Sequence, residues 1–150
     1  MTELRKLYQQ IMLDHNKQPR NYGRLENANR DQEGHNPLCG DRLHLYLHVD
    51  GERILDIRFE GSGCAISRAS ASLMTAALKG GTIADAEAYF ADFHAMTTSS
   101  PDAPVDTDRL GKLAIFAGVR EFPMRIKCAT LPWHTLRAAL KGTDTTVTTE

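Results

Sequence analysis

A chain of 150 residues, 41% hydrophobic and 25% charged, is long enough for one compact domain that needs no disulfide bonds. Eighteen Lys and Arg residues against nineteen Asp and Glu residues give a formal net charge of −1, which offers no broad positive field for nucleic acid. No apolar run approaches the roughly 18 residues of a membrane span, and the charged N-terminus lacks the apolar core of a secretory signal. The chain is therefore expected to be cytoplasmic and to bind neither nucleic acid nor membrane.

The first predicted element is an amphipathic helix. Its apolar residues recur at helical spacing: Leu4, Leu7, Tyr8, Ile11 and Met12. The helix should end before Pro19, because the residue preceding a proline is pushed out of the helical region. Residues 20–37 are polar, rich in asparagine and without a clear period. They are predicted to form an irregular connection with room for one short edge strand.

An antiparallel hairpin with one buried face is predicted next. The first strand alternates polar residues with four apolar ones, Leu43, Leu45, Leu47 and Val49. Asp50-Gly51 is typical of a tight turn, because glycine accepts the positive φ that such turns need. The apolar face of the returning strand should comprise Leu55, Ile57 and Phe59.

Four further helices are predicted after a break at Gly61-Ser62-Gly63. Their extents are about Ile66–Leu78, Ile83–Phe93, Asp108–Ala117 and Ala129–Leu140. Pro132 would then lie in the first turn of the last helix, where proline is tolerated. The element order predicts an α+β fold in which about five helices cover a small antiparallel sheet. Residues 1–142 should form a single domain, and residues 143–150 a disordered tail.

Each of the three cysteines lies at the edge of a predicted element. Cys39 precedes the first hairpin strand, whereas Cys64 and Cys128 stand at helix starts. Because a hairpin returns the chain, Cys39 and Cys64 can lie at one end of the sheet. Helix N-termini favour thiolates, and structural cysteines usually fall inside apolar stretches. The positions therefore favour metal binding or chemistry over the alternative, which is packing as small hydrophobic residues.

Asp41 adds an oxygen donor to this group. Two residues after Cys39 in an extended segment, its side chain should point to the same side of the chain. Three sulfurs and one oxygen in a tetrahedral set suit Zn²⁺. The full candidate set is Cys39, Asp41, Cys64 and Cys128. Spacing alone also allows Asp41 to be a turn or capping residue.

The proposed site would carry an excess of negative charge. Arg68, Arg125 and Lys127 are near in sequence and could compensate it, or they could be ordinary surface charges. A thiolate released from zinc by ligand exchange would be a strong nucleophile, which suits sulfur transfer better than permanent structural bracing. The sequence has no serine nucleophile elbow, phosphate-binding loop or metalloprotease helix motif.

Four groups of motifs in matching order resemble the SufU branch of the IscU-type iron–sulfur assembly family. The first group is Leu7-Tyr8-Gln9, Leu13-Asp14-His15 and Pro19-Arg20-Asn21. The others are Asn36-Pro37-Leu38-Cys39-Gly40-Asp41, Gly61-Ser62-Gly63-Cys64-Ala65-Ile66-Ser67 and Arg125-Ile126-Lys127-Cys128-Ala129-Thr130-Leu131. The resemblance covers nearly the whole chain to about Leu140.

The resemblance implies an IscU-like fold and a zinc-dependent sulfurtransferase, with zinc held by Cys39, Asp41, Cys64 and Cys128. Such a protein accepts persulfide sulfur from a SufS-type, pyridoxal-phosphate-dependent cysteine desulfurase and passes it toward a downstream iron–sulfur scaffold. The residue that takes the sulfur would be Cys39, after a desulfurase histidine replaces it on zinc. Arg125 would act at the desulfurase contact.

Two departures from the scaffold branch favour the sulfurtransferase interpretation. Lys127 stands immediately before the last cysteine, where scaffold members of the family carry histidine, and the segment Phe93–Val119 is longer than in scaffolds. Two alternatives stay open. The protein could be a scaffold that holds a transient iron–sulfur cluster, or a non-catalytic adaptor braced by zinc.

Overall fold

The computed structural model describes residues 3–37, 40–142 and 147–148. The helices, in chain order, are α1 (Glu3–Lys17), α2 (Ala65–Leu78), α3 (Ile83–Thr97), α4 (Thr107–Leu110), a 3₁₀ helix (Gly111–Glu121) and α5 (Pro123–Lys141). The strands are β1 (Arg30–Asn36), β2 (Asp41–Asp50), β3 (Arg53–Ser62) and β4 (Val147–Thr148). They form one sheet in the order β3-β2-β1-β4, in which β1, β2 and β3 are antiparallel. The predicted α+β class is confirmed.

The helices cover one face of the sheet, and β2 supplies the centre of the buried layer. Leu43, Leu45, Leu47 and Val49 are all buried, as their alternation predicts. Helix α5 packs on β1 and β2, while α2 packs on β3 and on α5. The ring of Trp133 in α5 stacks on that of Phe93 in α3, with centroids 4.9 Å apart. The sheet and helices therefore share one hydrophobic core.

The returning strand β3 departs from the prediction at one residue. Ile57 and Phe59 are buried as expected, but Leu55 is 42% exposed and Ile54 takes its place in the core. The cause is a register shift, since Val49 pairs with Ile54 whereas the preceding residue of β2 pairs two positions farther along β3. A bulge inserts an extra residue into one strand and reverses the sidedness of the residues beyond it. The prediction for Leu55 was wrong for this reason.

Strand β1 lies inside the polar segment of residues 20–37, where room for one short edge strand was predicted, and the presence of a strand there is confirmed. It is an inner strand, because β4 pairs with it on the side away from β2. Its buried positions are Gln32, Gly34 and Asn36, so it shows no apolar alternation. Helix α5 passes so close that a Cβ atom on Gly34 would lie 2.1 Å from the Thr135 Oγ1 atom. Close packing by α5 thus takes the place of the usual hydrophobic pattern.

The last helix begins earlier than predicted. It starts at Pro123, where the fixed φ of proline suits the first helical position. Pro132 therefore lies inside α5 rather than in its first turn, and Cys128 lies within the helix rather than before it. The helix predicted at about Asp108–Ala117 is instead the short α4 followed by the 3₁₀ helix.

The predicted end of α2 at Leu78 and start of α3 at Ile83 are confirmed, whereas α3 continues past the predicted Phe93 to Thr97. Gly80 has φ +82° just beyond α2, and Thr82 and Asp85 form a reciprocal capping box at the start of α3. In the segment expected to be a disordered tail, Val147 and Thr148 pair in parallel with Gly34 and His35 of β1. Residues 143–146 and 149–150 lie outside the described residues. Among the helices that the structure describes, none is both long and apolar enough for a membrane span.

A buried histidine joins α1 to α2 and makes stability depend on pH. The Nδ1 atom of His15, which is 4% exposed, lies 2.7 Å from the Ser72 Oγ atom. Burial lowers the pKa of His15 from its ordinary value of 6.5, and the positive charge of Arg20 acts in the same direction. The unfolded chain therefore binds the proton more readily. The stability that the neutral ring provides is present above about pH 6.5 and is lost as the pH falls through the lower, folded-state pKa.

We therefore expect Tm to fall as the pH is lowered from about 7.5 to 5.5, the range that spans an ordinary histidine pKa. The fall should be smaller in a His15→Gln variant, which lacks this titration, whatever its Tm at neutral pH. Burial also lowers the pKa of His134, so part of the fall should persist in that variant. Thermal melts of both proteins across this range provide the test, and identical pH profiles would contradict the assignment to His15.

Candidate metal centre

Three of the four predicted metal ligands meet at one end of the sheet. Asp41 begins β2, Cys64 is the N-cap residue of α2, and Cys128 lies in the second turn of α5. One carboxylate oxygen and the two Sγ atoms all lie within 4.8 Å of one another. Asp41 and Cys128 are buried, whereas Cys64 is partly exposed. The sequence separates Asp41 from Cys64 by 23 positions and Cys64 from Cys128 by 64, and the fold brings all three into one cluster.

Asp41 points into the cluster because it continues the buried face of β2. The alternation that buries Leu43 and Leu45 also buries position 41. Its Oδ1 atom accepts a hydrogen bond from the backbone N–H of Cys64 at 2.7 Å, and its Oδ2 atom lies 3.6 Å from the Cys64 Sγ atom. One carboxylate oxygen is therefore anchored at the start of α2, and this places the other beside the sulfur. Asp41 combines a role at the helix start with the geometry of a ligand.

A glycine makes room for this carboxylate. A Cβ atom on Gly63 would lie 2.4 Å from Asp41 Oδ1 and 3.0 Å from Asp41 Cγ. Gly63→Ala must therefore displace Asp41, and we expect it to lower the free energy of unfolding by about 1–3 kcal/mol, the usual cost of overpacking. It should also weaken zinc binding.

Gly23→Ala is the matched control for this variant, since Gly23 also has a positive φ, of +125°, but a Cβ atom there meets nothing within 4 Å. Urea unfolding and a zinc competition assay measure the two effects. If the two variants had equal denaturant midpoints and equal zinc affinities, the packing of Gly63 against Asp41 would have no consequence.

Both described sulfurs lie close to hydrogen-bond donors. The Sγ atom of Cys64 accepts from the backbone N–H of Ser67 at 3.4 Å, in the first turn of α2. The Nδ2 atom of Asn36 donates to the Sγ atom of Cys128 at 3.7 Å. Metal binds cysteine as the thiolate, and N–H donors beside a metal-bound sulfur hold that ligand in place. Two sulfurs and a carboxylate with these surroundings fit a tetrahedral zinc site that has one position left for a further ligand.

The cluster leaves two predicted site residues, Cys39 and Arg125, to be placed. Cys39 lies outside the described residues, so its place as the fourth ligand stays a prediction. Arg125 is exposed in the first turn of α5, and its guanidinium carbon lies 4.5 Å from the centroid of the Phe122 ring. The guanidinium carbon of Arg68 lies 5.1 Å from the centroid of the Tyr22 ring. In these positions the two arginines form cation–π contacts.

Asn36 and the backbone amide of Ser67 are the contributors to the cluster that sequence reasoning missed. Asn36 was noted only as part of a motif, because the strand that carries it has no hydrophobic pattern. Its place at the end of β1, paired with Asp41 in the adjacent strand, is what brings it to the site. The alternation of buried residues in β2, followed back from Leu43, reaches Asp41 and so indicates which end of the sheet carries the site.

Comparison with known proteins identifies chains that are similar to this one. The family model described as "NifU-like N terminal domain" matches residues 7–129. The protein named zinc-dependent sulfurtransferase SufU from Bacillus subtilis (strain 168) is 45% identical over 131 residues, which cover 87% of this chain and 86% of that protein. A protein from Streptococcus pyogenes serotype M1, named iron-sulfur cluster assembly scaffold protein IscU, is 39% identical over 141 residues, with coverage of 94% and 87%.

A solved structure shares the fold. It is that of a protein assigned as an iron-sulfur cluster assembly scaffold for the SUF system, from the thermophile Fervidobacterium islandicum AW-1. It superposes with a TM-score of 0.80 at 38% sequence identity, covering 87% of this chain and 93% of that one. The expected IscU-like architecture is confirmed by this likeness.

Proposed function

Since the chain belongs to the NifU-like N-terminal domain family, we propose that it is a zinc-dependent sulfurtransferase of iron–sulfur cluster assembly, acting in the cytoplasm. The observation that carries the proposal is the convergence of Asp41, Cys64 and Cys128 within 4.8 Å, with two sulfurs and one oxygen as donors. The relative named zinc-dependent sulfurtransferase, at 45% identity, supports the same activity.

The residues that would hold zinc are Asp41, Cys64 and Cys128, with Cys39 as the fourth ligand. When bound, zinc keeps cysteine sulfurs deprotonated and restrains their reactivity. Asp41 is held at the start of α2 by the Cys64 N–H, so one of its carboxylate oxygens is oriented before any ligand arrives. Cys64 and Cys128 each receive a donor at sulfur, which favours their retention as ligands. The sulfur chemistry is then left to Cys39.

The transfer step is a thiol–persulfide exchange. The Cys39 thiolate attacks the outer sulfur of a persulfide on a SufS-type cysteine desulfurase. The bond between that sulfur and the desulfurase cysteine breaks, and a thiolate leaves on the desulfurase while a new S–S bond forms on Cys39. The exchange needs no added oxidant or reductant. A second exchange would pass the sulfur to a downstream scaffold.

The start of α5 is a suitable docking surface for the desulfurase. Phe122 is 45% exposed and Met124 is 53% exposed, so two large apolar side chains lie two positions apart at the surface. Arg125 lies beside them with its guanidinium group over the Phe122 ring, and Cys128 follows one helical turn later. An exposed aromatic and arginine pair is a common anchor at protein interfaces. We assign Arg125 to this contact rather than to the metal cluster.

A second candidate function is a scaffold on which a transient iron–sulfur cluster assembles. The relative from Streptococcus pyogenes, at 39% identity, bears that name, and two sulfurs with a carboxylate can also hold iron. Anaerobic reconstitution with iron and sulfide separates the two candidates. A stable cluster that absorbs in the visible and transfers intact to an acceptor protein would favour the scaffold.

The proposed activity is tested by locating the transferred sulfur. The zinc-loaded protein is incubated with a purified SufS-type desulfurase and cysteine, and its peptides are analysed by mass spectrometry. We expect the additional mass of sulfur on the peptide that contains Cys39. Sulfur that remains only on the desulfurase, with cysteine turnover unaltered by this protein, would overturn the proposal.

A further inference from the structure

Asn36 connects two of the candidate ligands from the strand side of the cluster. It is the last residue of β1, is completely buried, and pairs in register with Asp41 at the start of β2. Its Nδ2 atom donates to the Cys128 Sγ atom at 3.7 Å, across 92 positions of the sequence. We propose that Asn36 is a positioning residue that retains Cys128 on the metal while another cysteine reacts. This inference rests on the metal site of the proposed function.

Such a donor suits the charge that the ligands carry once a metal is bound. Zinc binds cysteine as the thiolate, so the described ligands would then place one carboxylate and two thiolates within 4.8 Å, and two of these three side chains are buried. Arg125 is exposed, and the guanidinium group of Arg68 lies against the Tyr22 ring. The N–H groups of Asn36 and Ser67 lie within hydrogen-bond distance of the two sulfurs themselves. In a buried site a hydrogen bond to an anionic acceptor is stronger than one between neutral groups.

The two described sulfurs differ in the kind of donor they receive. Cys64 is served by a backbone N–H at the start of α2, which forms whenever that helix forms. Cys128 is served by the side chain of Asn36 on a different element. Substitution of Asn36 can therefore remove this donor and leave the backbone donor of Cys64 in place. This asymmetry allows the role of Asn36 to be separated from general loosening of the site.

Two variants change the donor in different ways. Asn36→Asp keeps the shape of the side chain but replaces the N–H donor by an oxygen, while Asn36→Leu keeps a similar volume without any polar group. In zinc-loaded wild-type protein we expect slow alkylation of both Cys64 and Cys128 by iodoacetamide. In the variants we expect the ratio of Cys128 to Cys64 alkylation to rise about 10–100-fold, the factor by which metal affinity typically falls when a hydrogen-bond partner of a ligand is lost.

Site-resolved mass spectrometry measures the ratio. The rate of zinc release to a chelator is a second readout, and it should rise in the same variants. A rise in alkylation of both cysteines at an unchanged ratio would show only loosened packing and would overturn the inference. Alkylation of both cysteines in the variants that is as slow as in the wild type, at the same ratio, would overturn it as well. If Asn36→Leu does not fold, the near-isosteric Asn36→Asp variant decides the result.

The same preparation distinguishes this inference from the proposed function. Wild-type protein that binds no zinc would remove the basis of both. Wild-type protein that binds zinc and protects Cys128, but accepts no sulfur from the desulfurase, would overturn the sulfurtransferase proposal. The inference about Asn36 would then be decided by the alkylation ratio alone.

Discussion

Chelation of zinc from the loaded protein is expected to lower Tm by about 10 °C. The described ligands come from the start of β2, the N-cap of α2 and the second turn of α5, so a bound ion ties together three separate elements. A ligand present at about a thousand times its Kd stabilises the folded state by about 4 kcal/mol. For a domain of this size each kcal/mol corresponds to roughly 2–4 °C in Tm.

Cys128→Ser is the matched control for chelation. Since it removes a buried sulfur ligand, the variant should start with a lowered Tm and should show little further change when the chelator is added. Differential scanning calorimetry of both proteins, with and without chelator, measures the coupling. If chelation left the Tm of the wild-type protein unchanged, metal binding at the cluster would not stabilise the fold.

The second large effect is expected from Cys39→Ser. The hydroxyl group is a far weaker nucleophile than a thiolate. Transfer of sulfur to the variant should therefore fall to the background level that is measured when the desulfurase is left out. Zinc should be retained in part, because Asp41, Cys64 and Cys128 remain. Tm should therefore change less than in Cys128→Ser. The first effect is measured by incubating each protein with the desulfurase and labelled cysteine and quantifying the protein-bound sulfur. The second effect is measured by thermal melts.

This variant also tests the non-catalytic adaptor. An adaptor braced by zinc would lose stability in Cys39→Ser but would carry no persulfide in either form. Detectable persulfide on wild-type protein, absent from the Cys39→Ser variant at full desulfurase activity, is the result that our account predicts. Equal protein-bound sulfur on both would move the acceptor role to another residue.

Much of the fold is predictable where the chain has a single strong pattern. The alternation from Leu43 to Val49 indicates β2 and its buried face, and the capping residues Thr82 and Asp85 mark the start of α3. In each case local preference and tertiary packing point to the same structure. Leu55 fails because a bulge reverses the sidedness of β3, and a bulge leaves no hydrophobic signal of its own.

The remaining differences concern the position of strand β1 in the sheet and the position of a proline. Strand β1 buries Gln32, Gly34 and Asn36, and a pattern search for apolar residues cannot give the bounds of such a strand or its inner position. Pro132 was taken to mark the first turn of a helix, whereas Pro123 has that role and Pro132 is enclosed in α5. Packing of α5 against the sheet and against α2 compensates for the backbone hydrogen bond that an interior proline removes.

The metal-ligating residues of the candidate site were predictable from the sequence, but the neighbouring residues that position them were not. Asp41, Cys64 and Cys128 are distinctive residue types at element edges, so they could be named from the sequence, and the structure brings them together. Gly63 and Asn36 act through close approach and a buried hydrogen bond, which depend on the register of strands far apart in the sequence. Such contacts become visible only once the fold is built.

The central claim is that one zinc ion is held by three cysteine sulfurs and the Asp41 carboxylate. Zinc K-edge X-ray absorption on the metal-loaded protein tests it most directly. We predict three sulfur neighbours at about 2.3 Å and one oxygen neighbour at about 2.0–2.2 Å. In Cys39→Ser protein one sulfur should be lost from that shell. A zinc shell with fewer than three sulfurs in the wild type, or one unchanged by the substitution, would contradict the account.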